Sequence, residues 1–219
     1  INNAGILQVG PQENMSIEDY ERAVKTNFWG PLYAIHAVLP YFKQQRSGRI
    51  VNVTSIGGKI ALPHLLPDSA SEFAAVGLSE NMHAELKREN IHVTTVVPNL
   101  TQAQSSRNVT VNGNHEDEDA WFNLSDSSPL SQEAEVAARD IIKALEYGEP
   151  KAILSLSGKL ATIVKGIAPG WVNIAMGVAN TFLPDPTEKF RVKKFRVPNS
   201  ELKSSEFPVP NSELKSSEF

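Results

Sequence analysis

Three short runs constrain this chain most: Arg49 to Ser55 (RIVNVTS), Ile91 to Val97 (IHVTTVV) and Lys151 to Leu156 (KAILSL). Each is rich in β-branched residues and close to continuously apolar at its centre. That is the composition of strands buried on both faces of a parallel sheet. Parallel neighbours need a crossover connection, and helical segments lie where the crossovers must be. Ser16 opens one helix, with Glu18 and Asp19 in the first turn where the helix dipole favours acids. Phe28 to Phe42 is helical in composition, and Ser69 to Arg88 carries Phe73, Val76, Met82 and Leu86 at helical spacing before stopping at Asn90. Ser131 to Tyr147 forms an apolar stripe that ends at Gly148. Strands alternating with helices of this length predict an α/β fold of βαβ units.

The remaining chain is less regular. Thr101 to Leu130 is polar, with an acidic run at 115–119 and the pair Trp121-Phe122. It reads either as a substrate loop beyond a strand's carboxyl end or as a solvated surface loop. Gly166 to Pro184 has no charge, but Pro169, Gly170, Asn173 and Asn180 interrupt it. Trp171, Ile174, Ala175, Val178 and Phe182 share one helical face, so a packed terminal helix is favoured over an interfacial helix, and both over a membrane span. Lys189 to Arg196 is a basic-aromatic cluster, and Val197 to Phe207 is repeated word for word from Val209 to Phe219. Two polar copies cannot build a core, so residues 187–219 are expected to form a disordered tail behind a domain at 1–186.

Composition excludes several classes. No cysteine occurs, which removes disulfide frameworks, Cys-ligated zinc and thiol nucleophiles. The five histidines show no metal-ligand spacing, so no metal site is expected. A formal charge of -4 argues against a nucleic-acid binder. The expected compartment is the cytoplasm, with a membrane-surface contact held as a minor alternative.

Five motifs follow one another in order: Asn2-Asn3-Ala4-Gly5, Asn27 within Lys-Thr-Asn-Phe-Trp-Gly, Asn52-Val-Thr-Ser55-Ile-Gly-Gly58, Ala70-Ser71-x-Phe73-Ala-Ala-Val-Gly-Leu-Ser79, and Val97-Pro98. In this register the chain resembles the short-chain dehydrogenase/reductase family, with the likeness running to Pro186. The loop holding Trp121-Phe122 and the stretch from Lys159 to Ile163 look like a bacterial subgroup. The resemblance implies a Rossmann-like doubly wound parallel sheet, NAD or NADP as cofactor, and a small carbonyl or alcohol substrate. It puts Asn2, Asn3, Ala4 and Gly5 beside the cofactor's ribose units, and Pro98 and Asn99 at the nicotinamide. Ser55 would hydrogen-bond the substrate oxygen and Asn27 would hold a relay water. Read alone, Asn27 is equally a helix-kink residue. The helices at 28–42 and 69–88 would form a homo-oligomer interface.

The pattern then departs from the family at the catalytic Tyr and Lys positions, which here are Asp68 and Glu72. With a reference pKa of about 3.9, Asp68 should carry no proton to give at neutral pH, and Glu72 supplies no cation. Losing a positioned general acid costs about 10²–10⁴ in rate. Ser69-Ala-Ser-Glu72 also matches a capping box, which makes the substitutions look harmless to folding. Asn99 stands where the family usually has Gly. No Gly-rich phosphate turn occurs, and the chain opens without Met. The expectation is therefore a family member lacking its first strands, roughly 80 residues by likeness, with cofactor binding weakened and an apolar sheet edge exposed. Three functions compete: an impaired oxidoreductase, a non-catalytic interaction subunit, and an active enzyme using Asp68 as an unusual acid.

Overall fold

A computed structural model describes residues 1–98, 109–113 and 134–186. Strand β1 (Leu7–Val9) is followed by helix α1 (Ile17–Ala23), a π-helical segment Val24–Trp29, and α2 (Gly30–Gln45). Then come β2 (Gly48–Val53), α3 (Leu66–Leu86), β3 (Ile91–Val97) and β4 (Val109–Val111). Helix α4 (Ala134–Tyr147), strand β5 (Lys151–Ile153), α5 (Leu156–Ile167) and α6 (Pro169–Asn180) complete the described order.

The main sheet has the order β2-β3-β5, all parallel. Strands β2 and β3 are in register from Gly48↔Ile91 to Val53↔Val96. Alternation of side chains sends Ile50, Ile91 and Val93 to one face, where they pack with Ile35 of α2 and Leu86 of α3. Val51 and Val96 go to the other face and meet Ala144 of α4 and Ala152. The sheet is thus covered on both sides, as its continuous apolar strands require. On β2's outer edge, among the described residues, Asn2 alone bridges, through its N–H to Val51 O (2.8 Å) and its carbonyl to Val53 N (2.9 Å).

Several helix ends follow the sequence closely. Asn90 takes the left-handed conformation (φ 57°) after α3 and a short 3-10 turn, and Gly148 (φ 64°) closes α4. Ser16 N–H donates to Asp19 Oδ2 at 2.8 Å, fixing the start of α1.

Four readings need correction. The helix expected from Ser69 begins at Leu66, with Pro67 in its first turn where no N–H is missed. Ser69 and Glu72 are therefore inside the helix and form no capping box; Ser69 Oγ and Glu72 Oε2 are buried without a partner. The strand expected over 151–156 ends at Ile153, and Leu156 starts α5, capped by Ser155 Oγ accepting from Gly158 N (3.0 Å). The helix at 169–180 is not packed into the core: none of its residues is buried, and Trp171 is 75 % exposed.

A second parallel pair, β1-β4, was not expected. Val9 and Leu65 are its buried centre, with Leu62 and Val109 against them. The expected loop at 101–130, Asn99, Trp121-Phe122 and the tail fall outside the described residues, apart from β4 and the two residues after it.

Candidate active site

The sheet aims its functional residues through the carboxyl ends of its strands, the usual ligand side of a parallel α/β sheet. Ser55 follows β2 by two residues and caps the 3-10 turn Ile56–Gly58, its Oγ accepting from Gly57 N at 2.8 Å. The hydroxyl proton remains available to donate. Pro98 directly follows β3, one strand over. Asn2, bridged to Val51 and Val53, starts the segment on the other side of β2, and Asn3, Ala4 and Gly5 are exposed there.

Asn27 lies in the π-helical segment and is buried. Its Oδ1 accepts from Ile6 N (3.0 Å), while Nδ2 lies in donor range of Ile6 O (3.1 Å), Ser71 Oγ (3.0 Å) and Asp68 Oδ1 (3.3 Å). An amide has two N–H groups, so these three acceptors share them. The helix-kink reading agrees with this placement: Asn27 interrupts the regular helix, and its amide also reaches Asp68 and Ser71. Single-turn π segments recur where a helix must re-aim a side chain.

Asp68 and Glu72 stand one turn apart on α3, exposed by only 4 % and 8 %. A Cβ placed on Gly57 would lie 3.1 Å from Ser55 Oγ, 3.3 Å from Asp68 Oδ2 and 3.5 Å from Ser69 Oγ, so these oxygens converge on one small region. Burial pushes the Asp68 carboxyl up to about 7, with the Asn27 hydrogen bond pulling the other way. Burial, then the Asp68 charge, push Glu72 up to about 8, opposed by the N–H of Ser55. The sequence expectation that Asp68 has no proton at neutral pH is overturned: the reference value assumes water, and this carboxyl has almost none.

A second polar chain crosses the sheet beneath the site. Asn2 Nδ2 donates to Asn52 Oδ1 (2.8 Å), Asn52 Nδ2 to Ser79 Oγ (3.0 Å), and Thr95 Oγ1 to the same Ser79 Oγ (2.8 Å). It pins α3 to the sheet and fixes where Asp68 sits. Sequence reasoning placed Asn2 at the cofactor but gave Asn52, Ser79 and Thr95 no role of their own, although Asn52 inside a β-branched strand was a signal.

A short chain dehydrogenase family model matches residues 1–113, over half the chain. The chain belongs to the short-chain dehydrogenase/reductase family. It is 30% identical over 185 residues to the putative oxidoreductase SadH of Mycobacterium tuberculosis, covering 83% of this chain and 67% of that protein. It is 38% identical over 120 residues to a 3-ketodihydrosphingosine reductase of Bacteroides thetaiotaomicron, covering 53% of this chain and 45% of that protein. A Burkholderia cenocepacia short chain dehydrogenase in complex with NADP has the same fold, with TM-score 0.65, 24% identity, and 80% of this chain against 66% of that one. The chain therefore spans from under half to two thirds of these relatives' lengths.

Membership makes a nicotinamide cofactor the group to test against the residues present. Asn3, Ala4 and Gly5 are exposed beside β2 and Pro98 is half-buried after β3, on the ligand side of the sheet. The phosphate end finds no fit among the described residues: the N-terminus of α1 is already occupied by Asp19, hydrogen-bonded to Ser16. Such a cofactor, when bound, supplies the hydride. This chain's own residues set the Asp68 carboxyl, raised to about 7, beside Ser55, with the Asn27 amide on its Oδ1.

Proposed function

We propose that the chain is part of an NAD(P)-dependent oxidoreductase acting on a small carbonyl or alcohol, with impaired turnover. The observation that carries this reading is the convergence of Ser55 Oγ and Asp68 Oδ2 around Gly57, with Asn27 on Asp68 Oδ1. Asp68 takes the family's proton-transfer position and Ser55 the substrate oxygen. Asn2 to Gly5 and Pro98 line the cofactor, and Glu72 replaces the cation that would hold its ribose. Turnover is impaired because a buried carboxyl is shorter than a phenol and, among the described residues, no ammonium lies behind it. A deficit of about 10²–10⁴ is in the range for a mis-set general acid. Residues 1–186 act as one domain, in the cytoplasm.

The test joins the chain to the Gly-rich strand–turn–helix of a family member and compares it with an Asp68→Tyr, Glu72→Lys version. Recovery of NAD(P)H-linked turnover by the double variant is expected. Absence of any recovery sinks the reading.

A second reading, an oligomerising subunit, is favoured by the outer surface of α2 and α3. Trp29 and Tyr33 stack at 5.6 Å on that surface and stay exposed, as do Tyr41 and Phe73. Exposed aromatics of this density suit an interface. Sedimentation of the Tyr33→Glu, Phe73→Glu variant should give a smaller species than the parent chain.

A further inference from the structure

Helices α5 and α6 leave much apolar surface open. Leu160, Ile163 and Ile167 fall on one stripe of α5, and Trp171, Ile174 and Val178 on one stripe of α6. All six are more than half exposed, Ile167 at 80 %. Neither helix alone is long and apolar enough to cross a membrane, and the pair that would suffice in length and composition is bent by 119°. Lys165 Nζ donates to Asn173 Oδ1 at 2.6 Å and ties the two helices across that bend.

Charge decides what can cover this surface. From 156 to 184 the chain has Lys159 and Lys165 and no acidic residue, although its net charge is -4, while Lys151 before them is paired with Glu80 at 2.8 Å. Apolar helices with lysines alone, bordered in sequence by a basic cluster from Lys189 to Arg196, complement an anionic lipid surface. A symmetric contact with a second copy would instead bring together two faces that carry lysines and no acidic residue to pair them. Trp171, at the start of α6, has the amphipathic ring favoured at a headgroup boundary. Lysine stems can lie along the apolar surface while their ammonium groups reach phosphate. We propose that the α5–α6 hairpin docks this protein on the surface of an anionic bilayer, lying in the interface without spanning it.

Flotation of the full chain with phosphatidylcholine vesicles, with and without phosphatidylglycerol, tests this. Binding to the anionic vesicles is expected, with far less to the neutral ones. Ile163→Glu with Val178→Glu should lower the bound fraction at least about tenfold while the far-UV circular dichroism stays unchanged, since both side chains are exposed. Lys159→Gln with Lys165→Gln should cost roughly fivefold per lysine on anionic vesicles only. Failure to float with either vesicle overturns the proposal. So does undiminished binding by the Ile163→Glu, Val178→Glu chain, which would assign it to the basic segment. Conversion of a dimer to a monomer by that variant, without vesicle binding by the parent, would identify a second copy as the occupant.

Discussion

Asn27 and Asp68, forty-one residues apart in sequence, meet at 3.3 Å through an amide nitrogen and a carboxyl oxygen that are both buried. The contact ties the π-helical segment to the first turn of α3. It also gives Asp68 a donor that favours its charged form, against the burial that favours the neutral one. The carboxyl is held between these two influences.

Stability should fall as pH rises. In the folded chain Asp68 titrates at about 7 and Glu72 at about 8, against ordinary values of 3.8 and 4.5. The folded state therefore binds more protons than the unfolded state between those limits. The stability that this pair confers is complete below the ordinary values and disappears as pH climbs through 7 and then 8. Its size is on the order of a few kcal/mol per group. Urea midpoints measured from about pH 5 to about pH 9 should decline, and Glu72→Gln should flatten the upper part of the decline. A parent midpoint that rises across this range would refute the assignment.

Removing the Asn27 amide should destabilise the site as well as the fold. Asn27→Ala strips donors from Ser71 Oγ and Asp68 Oδ1 and both partners from the Ile6 backbone. Leaving such buried groups unsatisfied costs about 1–3 kcal/mol each, with water entry reducing the sum. A lowered thermal midpoint together with an upward shift in the Asp68 titration, read by carbon-13 NMR of the carboxyl, is the expected pair of results.

Ser79→Ala addresses the cross-sheet chain. Its hydroxyl oxygen receives both Asn52 Nδ2 and Thr95 Oγ1, and the residue is fully buried. A methyl group there orphans two donors at a cost of about 1–3 kcal/mol. Ser79→Thr, which retains the oxygen, should recover part of the loss in chemical denaturation unless its added methyl cannot be housed.

Gly58→Ala tests how closely α3 approaches the turn after Ser55. The new Cβ would meet Glu72 O and Val76 Cγ2 at 2.9 Å. One of the two obstacles is helix backbone, so the turn itself must move. A loss of about 1–3 kcal/mol is expected from this overpacking, with the site displaced alongside. Denaturation at the parent's midpoint would show the approach to be looser than this.

The sheet was legible because its strands advertise themselves. Ile91–Val97 reads as buried on both faces, and it occupies those same residues in β3. The positions of Ser55 and Pro98 at one end of the sheet also follow from strand direction, whereas Asn27, on a helical segment, was placed only by the family resemblance. The ionisation of Asp68 did not, because nearest neighbours in sequence do not reveal water exclusion by α3 and the Gly57-Gly58 turn. The capping-box reading failed because Ser69 and Glu72 fit that local pattern while Pro67 starts the helix a turn earlier. Periodicity at 171–182 correctly gave an apolar face but carried no information about what that face meets. Strands β1 and β4, three residues each and about a hundred apart, are too short to announce a pairing.

The π-helical segment sets a phase relation between α1 and α2. One surplus residue in a turn rotates everything downstream by roughly 100° relative to an unbroken α-helix. The orientation of Trp29 and Tyr33 toward solvent is thus coupled to the orientation of Asn27 toward Asp68. A one-residue deletion between Val24 and Trp29 would restore regular helix and uncouple the two, turning either the site or the outer aromatic surface out of place.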